Sequence, residues 1–300
     1  VSSANVSFGS AVSLDGARLA VGNPTDDGLN NDIPDAGSVY VFTFDDLNYT
    51  NPQHIGTLGV DYTGSKDLNL NGVLNDVDYF GSSLSLDGNR LVVAAESGDG
   101  FADAFSASGE VYLITFSDAS FSNPTLAGTI GANYTGTNDF DLSDKNVLGS
   151  YHHSGSSVSL DGTSLAVGAV LDDGASNTLS NSGVVYLFEF ADLNFSTPTL
   201  SAILGAGYTG GNNLDLSGTL DAVDYFGTSV SLDGTRLVVG ADGDDGFANS
   251  GPSRSGAVYL FEFDDLSFNS PALTATLGAG YTGGNNLGMS SALDDQDYFG

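Results

Sequence analysis

The chain of 300 residues contains no cysteine. Disulfide scaffolds, cysteine-based zinc sites and thiol nucleophiles are therefore excluded. Basic residues are scarce: six Lys and Arg stand against 38 Asp and Glu, for a net charge of −32. So acidic a field repels nucleic acid and anionic membrane surfaces and makes cations the natural counter-partners. Helix formers are few. There is one Met (Met289), the only lysines are Lys66 and Lys145, and only Glu96, Glu110, Glu189 and Glu262 among the acids are Glu. No apolar run reaches the roughly 18 residues of a membrane-crossing helix. Neither a signal peptide nor an initiating Met is present, so the chain reads as a mature product or a piece of something longer.

What is abundant is Gly (41 residues), with Ser, Thr, Asn and the strand-favouring Val, Tyr and Phe. This is the composition of short strands joined by turns. With 40% hydrophobic residues the chain can bury a substantial core. Self-comparison shows a repeat of about 73 residues. Phe-Gly recurs at 8–9, 80–81, 226–227 and 299–300, with Ser154-Gly155 in the third place. Ser-Leu-Asp-Gly follows at 13–16, 85–88, 159–162 and 231–234. Then come an apolar run (Leu19 to Gly22, Leu91 to Ala94, Leu165 to Gly168, Leu237 to Gly240) and a second one opening on Gly37, Gly109, Gly183 and Gly256. Tyr-Thr-Gly closes each copy, at Tyr62, Tyr134, Tyr208 and Tyr281. The units run 1–80, 81–154, 155–226 and 227–300, the last including the start of a fifth.

Each copy offers four strand signals; in the fourth they are Ser229–Leu232, Arg236–Val239, Ala257–Phe263 and Leu273–Leu277. Asp233-Gly234 joins the first two as a tight hairpin. The third strand is apolar on both faces, as a sheet stacked between neighbours must be. Four antiparallel strands per repeat are the pattern of a β-propeller blade. Phe-Gly and Val-Gly-Ala then read as junction residues, an apolar plug and glycines that allow close backbone approach.

Phe226-Gly227, Leu237-Val238-Val239-Gly240-Ala241 and Gly256-Ala257-Val258-Tyr259-Leu260-Phe261 together resemble the FG-GAP repeat, and similar sets recur in the other copies. That resemblance implies an all-β propeller of FG-GAP-like blades, as in integrin α-subunits and prokaryotic surface proteins. It implies a secreted or cell-surface setting and a non-catalytic structural or adhesive role, assembly into fibres or surface layers included, with a carbohydrate-binding, lectin-like propeller as the alternative. The partners it suggests are a protein or glycan at the cell surface, or another copy by head-to-tail self-association. Departures are visible: the Pro of Gly-Ala-Pro is missing, and the family's calcium loop between the first two strands has shrunk to Leu-Asp-Gly. That calcium site is therefore not carried over, since the ion needs six to eight oxygens. Four repeats and a fifth Phe-Gly fit a four-bladed ring, part of a larger ring, or an open array.

The loop after the second strand is acidic in every copy. Asp26, Asp27, Asp99, Asp172, Asp173, Asp242, Asp244 and Asp245 are candidate calcium ligands, against the plainer reading of Asx-turns and solvated loop charge. Further acids precede Phe-Gly: Asp76 and Asp78, Asp221 and Asp224, and Asp294, Asp295 and Asp297. A carboxylate pair suits glycosidic chemistry, but recurrence in several copies argues against catalysis and no catalytic residue is assigned. The third copy has Tyr151-His152-His153 there, read as drift at one repeat position, because adjacent strand residues face opposite ways. The recurrent tyrosines suit packing, or stacking on a partner. Asn5, Asn48, Asn133 and Asn194 lie in glycosylation sequons at loop positions.

Overall fold

The computed structural model describes residues 7–143 and 152–300; Asn5 and Tyr151 lie outside them. The described chain is all-β apart from short 3-10 turns, and folds into four five-stranded blades. Blade 1 holds β1 (Val12–Asp15), β2 (Arg18–Asn23), β3 (Ser38–Thr43), β4 (Gln53–Gly59) and β5 (Leu68–Asn69). Blade 2 holds β6 (Phe80–Asp87), β7 (Arg90–Ala95), β8 (Glu110–Thr115), β9 (Thr125–Gly131) and β10 (Phe140–Asp141). Blade 3 holds β11 (Ser154–Asp161), β12 (Ser164–Ala169), β13 (Val184–Glu189), β14 (Thr199–Gly205) and β15 (Leu214–Asp215). Blade 4 holds β16 (Phe226–Asp233), β17 (Arg236–Ala241), β18 (Ala257–Glu262), β19 (Ala272–Gly278) and β20 (Leu287–Gly288).

Four strands of each blade are antiparallel, as the sequence pattern requires, and Asp-Gly closes the first hairpin. The fifth strand was not anticipated. The tail after Tyr-Thr-Gly turns back and pairs parallel with the fourth strand, Leu58 beside Leu68 and Leu277 beside Leu287. A side chain clamps this return: Asp67 accepts from the Thr57 N–H at 2.8 Å, and Asn286 from the Thr276 N–H at 2.8 Å. The third and fourth strands share a register shift in every blade, at Val41/Phe42, Leu113/Ile114, Leu187/Phe188 and Leu260/Phe261.

The chain divides into two compact units, Val1–Ser143 with Phe190–Pro198, and Asp144–Glu189 with Thr199–Gly300. In the first, blade 2 stacks on blade 1. Ser13 Oγ accepts from the Leu86 N–H and Asp15 Oδ2 from the Gly88 N–H, both at 2.9 Å. Arg18, paired with Asp15, donates to the Gly88 carbonyl and lies 5.9 Å from the Phe121 ring centre. In the second, blade 4 stacks on blade 3 in the same way, through Ser159 to the Leu232 N–H (3.0 Å) and Asp161 to the Gly234 N–H (2.6 Å). Each unit has its own core, with Phe80 and Phe226 fully buried between blades.

The junction glycines do what their sequence positions suggest. A Cβ on Gly168 would lie 2.1 Å from the Gly227 carbonyl, and one on Gly22 would lie 2.0 Å from that of Gly81. Gly168→Ala is therefore expected to lower stability by about 1–3 kcal/mol, the scale of core overpacking. Gly218, with nothing within 4 Å of a Cβ, is the control. Its Ala variant should stay within about 0.5 kcal/mol of the parent in denaturant titrations.

Candidate functional site

At one end of each blade the third strand and the Tyr-Thr-Gly segment bring two tyrosine hydroxyls to a single carboxylate. In blade 1 Asp26 accepts from Tyr40 (3.0 Å) and Tyr62 (3.3 Å), and from the Gly28 N–H (2.9 Å). In blade 3 Asp172 accepts from Tyr186 (2.7 Å), Tyr208 (3.4 Å) and the Gly174 N–H (2.8 Å). In blade 4 Asp244 accepts from Tyr259, Tyr281 (2.9 Å) and the Gly246 N–H (2.6 Å). Burial pushes the hydroxyl pKa of Tyr186 and Tyr259 well up, so they remain donors. The repeated tyrosines therefore serve packing and a buried hydrogen-bond knot.

Blade 2 makes the knot differently. Gly98 stands where the other copies have Asp26, Asp172 and Asp244, and no loop carboxylate is available. Glu110, at the start of β8, supplies it instead. It is 2% exposed and accepts from Tyr112 and from Tyr134 at 2.8 Å. Its carboxyl occupies the space of the missing side chain, since a Cβ on Gly98 would lie 2.8 Å from Glu110 Cδ. Sequence reasoning passed over Glu110. The signal was there: the copy that lost the loop Asp carries two of the four Glu, one of them, Glu110, at the place where copy 1 has Ser38.

The remaining loop acids bind their own backbone. Asp27 accepts from the Asp35 N–H (2.9 Å), Asp99 from Ala107 (2.6 Å), Asp173 from Asn181 (2.7 Å) and Asp245 from Arg254 (2.5 Å). Asp242 accepts from the Thr228 hydroxyl at 3.1 Å. The eight candidate calcium ligands are thus split among tyrosines, loop N–H groups and the Thr228 hydroxyl, and among the described residues no group of three or more His, Asp or Glu is placed to hold a metal. Of the sequon residues, Asn48 and Asn194 are exposed in turns and Asn133 is half-buried.

A second titratable group stands behind the knot, three residues before the Phe-Gly glycine. Asp78 serves blade 2 and Asp224 blade 4, each 3% exposed. Burial first, then the neighbouring charges of Glu110, Asp99 and Asp103, push the Asp78 carboxyl up to about 7. Burial and the charges of Asp244, Asp221 and Asp245 do the same for Asp224, again to about 7. Burial also raises Glu110 and Asp244. In blade 3 the equivalent residue is His152, buried, with Nδ1 3.3 Å from Asp172 Oδ2. The His pair is therefore not idle drift: His152 answers the knot carboxylate with a nitrogen where blades 2 and 4 place a second acid.

In blade 2 the knot borders a sizeable cleft. Its volume is about 790 Å³, and Glu110, Tyr134, Phe101, Asp103, Asn75 and Asp139 are in its wall. Phe101 stands in the short 3-10 turn Phe101–Asp103, is largely exposed, and meets the Tyr134 ring edge-on at 5.7 Å. Asn75 donates to Asp103 at 2.9 Å across the cleft wall.

Two outcomes follow from this geometry. Gly98→Asp and Glu110→Ser should each cost about 1–3 kcal/mol, the first by crowding two acids and the second by leaving buried hydroxyls unpaired. The double variant restores the blade 1 arrangement and should recover most of that loss; a double-mutant cycle in denaturant measures it. Asp78 and Asp224 hold protons more tightly folded than unfolded. The stability they contribute is full below the ordinary carboxyl value of 3.8 and is lost as pH rises to about 7. Asp224→Asn should flatten that decline in melts taken from pH 4 to 8.

The sequence profile of the FG-GAP repeat matches residues 2–42, 148–188 and 220–261, in blades 1, 3 and 4. No curated protein matches the sequence. Among solved structures the chain is similar to the periplasmic gluconolactonase of Pseudomonas aeruginosa, at 17% identity and a TM-score of 0.43, over 92% of this chain and 60% of that one. The chain thus spans about 60% of that protein's length. That neighbour is an enzyme, which corrects the expectation of a non-catalytic structural, adhesive or lectin-like module. FG-GAP motifs mark the propeller fold and do not of themselves mark adhesion. The FG-GAP repeat motif is thus matched in three of the four blades, and the same five-stranded blade is built four times.

Proposed function

We propose that blade 2 carries an acid–base hydrolytic site for a small, neutral, hydroxyl-rich substrate, in an extracytoplasmic setting. The observation that carries this reading is the cleft with Glu110 in its wall, at the one knot rebuilt around a strand-borne Glu. Burial raises the Glu110 carboxyl, the condition for a general acid near neutral pH. Asp78, pushed up to about 7, keeps a second proton close by. In the reaction proposed, the carboxyl proton passes to the leaving oxygen. Water from the open cleft adds to the electrophilic carbon, and its proton returns to the carboxylate. The exposed faces of Phe101 and Tyr134 suit the C–H face of a substrate, while Asn75, Asp103 and Asp139 suit its hydroxyls. A net charge of −32 disfavours anionic substrates.

Turnover of glucono-1,5-lactone and of neutral nitrophenyl glycosides, corrected for spontaneous hydrolysis, tests this. The expected result is a rate above background with at least one of them, falling at high pH as the Glu110 proton is lost. Glu110→Gln, which keeps one tyrosine hydrogen bond and reverses the other, should reduce it by about 10²-fold or more, and a melting curve of the variant confirms that it is folded. A rate unaffected by Glu110→Gln, or none above background with either substrate class, would overturn the assignment.

A further inference from the structure

Among the described residues three buried side-chain oxygens have no hydrogen-bond partner, and two of them stand side by side in blade 1. They are Asn23 Oδ1, on the last residue of β2, and Ser38 Oγ, on the first residue of β3. Asn23 is 4% exposed and Ser38 is fully buried. The two residues are register partners across the antiparallel pair. Their side chains therefore leave the same face of the sheet, with Cβ atoms about 4.5–5.5 Å apart. An oxygen left unpaired there carries its whole desolvation penalty, so two together call for a partner.

The other copies do not have this pair. The position of Asn23 is taken by Ala95, Ala169 and Ala241, and that of Ser38 by Glu110, Val184 and Ala257. Blades 3 and 4 are thus apolar at both places. In blade 2 the Glu110 carboxylate accepts from Tyr112 and Tyr134. Blade 1 sets an amide beside a hydroxyl instead.

The knot fixes which way the amide points. Asn23 Nδ2 donates to Asp26 Oδ2 at 3.1 Å. The flipped amide would turn its oxygen onto a carboxylate, so Oδ1 faces away from Asp26. Asp26 also accepts from Tyr40, Tyr62 and the Gly28 N–H, which leaves the Ser38 hydroxyl no free lone pair there. There is room beside Ser38. In blade 3 Val184 Cγ2 comes within 2.7 Å of the point where Gly205 would carry a Cβ. At the matching point on Gly59 the nearest Ser38 atom is Cβ, at 3.1 Å. The place of one γ-methyl is thus left open in blade 1, and a water molecule is about that size.

We infer that one ordered water molecule is an integral part of blade 1, held between Asn23 Oδ1 and Ser38 Oγ. It donates a proton to Asn23 Oδ1 and accepts the proton of the Ser38 hydroxyl, so a single molecule satisfies both oxygens. A bound cation would take lone pairs from both oxygens and leave the Ser38 proton without an acceptor. By holding Oδ1 the water also keeps Nδ2 on Asp26. Blade 1 thereby completes the polar shell behind its knot with a hydrated amide, where blades 2 and 4 use a second acid and blade 3 uses His152.

Crystals of the full chain at atomic resolution, grown in sodium chloride and again in rubidium chloride, test this. The expected result is a density peak within about 3.2 Å of both Asn23 Oδ1 and Ser38 Oγ, with no anomalous signal in the rubidium crystals. Ser38→Val places the blade 3 methyl in the gap. That variant should fold, keep Asn23 on Asp26 and lose the peak. An anomalous peak at the site makes the ligand a monovalent cation and overturns the inference. So does a parent structure in which Asn23 and Ser38 bond each other directly or show no peak between them, or a peak that persists unchanged in Ser38→Val.

Discussion

The blade ends depend on one interaction: a carboxylate withdrawn from water and held by two tyrosine hydroxyls and a loop N–H. It joins three segments far apart in sequence, as Asp172, Tyr186 and Tyr208 show. Removing the acid would leave two buried hydroxyls without a partner, a cost comparable with a large part of a domain's margin of stability. The chain can therefore change which residue brings the carboxylate, but not dispense with it. Blade 2 is the instance. Its loop offers Gly98, and Glu110 reaches the same point from β8. The knot survives the exchange, and a cleft borders it in that blade.

Behind the knot the constraint is electrostatic. Two carboxyls in a dry space cannot both ionise cheaply. Blades 2 and 4 respond by holding a proton, with Asp78 and Asp224 pushed up to about 7. Blade 3 responds with His152, whose ring nitrogen faces Asp172 directly. One repeat position thus carries two chemical answers to the same buried charge. This is why equivalent residues in the four copies need not behave alike, and why a single blade can acquire chemistry that its neighbours lack.

Much of this was legible in the sequence. The spacing of Phe-Gly, Asp-Gly and Tyr-Thr-Gly marked out four blades and their hairpins, and a junction glycine such as Gly168 stands where a Cβ would collide with Gly227. The fifth strand was hidden, since its two residues have no periodicity and depend on side-chain clamps such as Asp67 and Asn286. The candidate site was less legible. The loop acids stood out by composition, but whether a carboxylate meets a cation, a tyrosine or a backbone N–H is decided in three dimensions. Glu110 and His152 were readable only as departures from register: a Gly where three copies have Asp, and a His where others have Asp. In a repeat protein the informative residue is the one that breaks the pattern.

The acidity itself has an explanation in the same terms. Six Lys and Arg cannot pair 38 acids, so the backbone takes the place of cations. Asp46, Asp118, Asp192 and Asp265 recur at one exposed turn, each accepting from the N–H groups two and four residues on. Those bonds, with side-chain donors such as Asn269 at Asp265, hold the four carboxyls below their usual value. The buried acids of the knots are pushed the other way by desolvation. Turn chemistry thus makes Asp the default residue throughout the repeat, and burial alone decides which of these acids becomes a proton store. It follows that net charge says little about where function lies in this chain. What distinguishes blade 2 is that a desolvated carboxyl and an open wall coincide there.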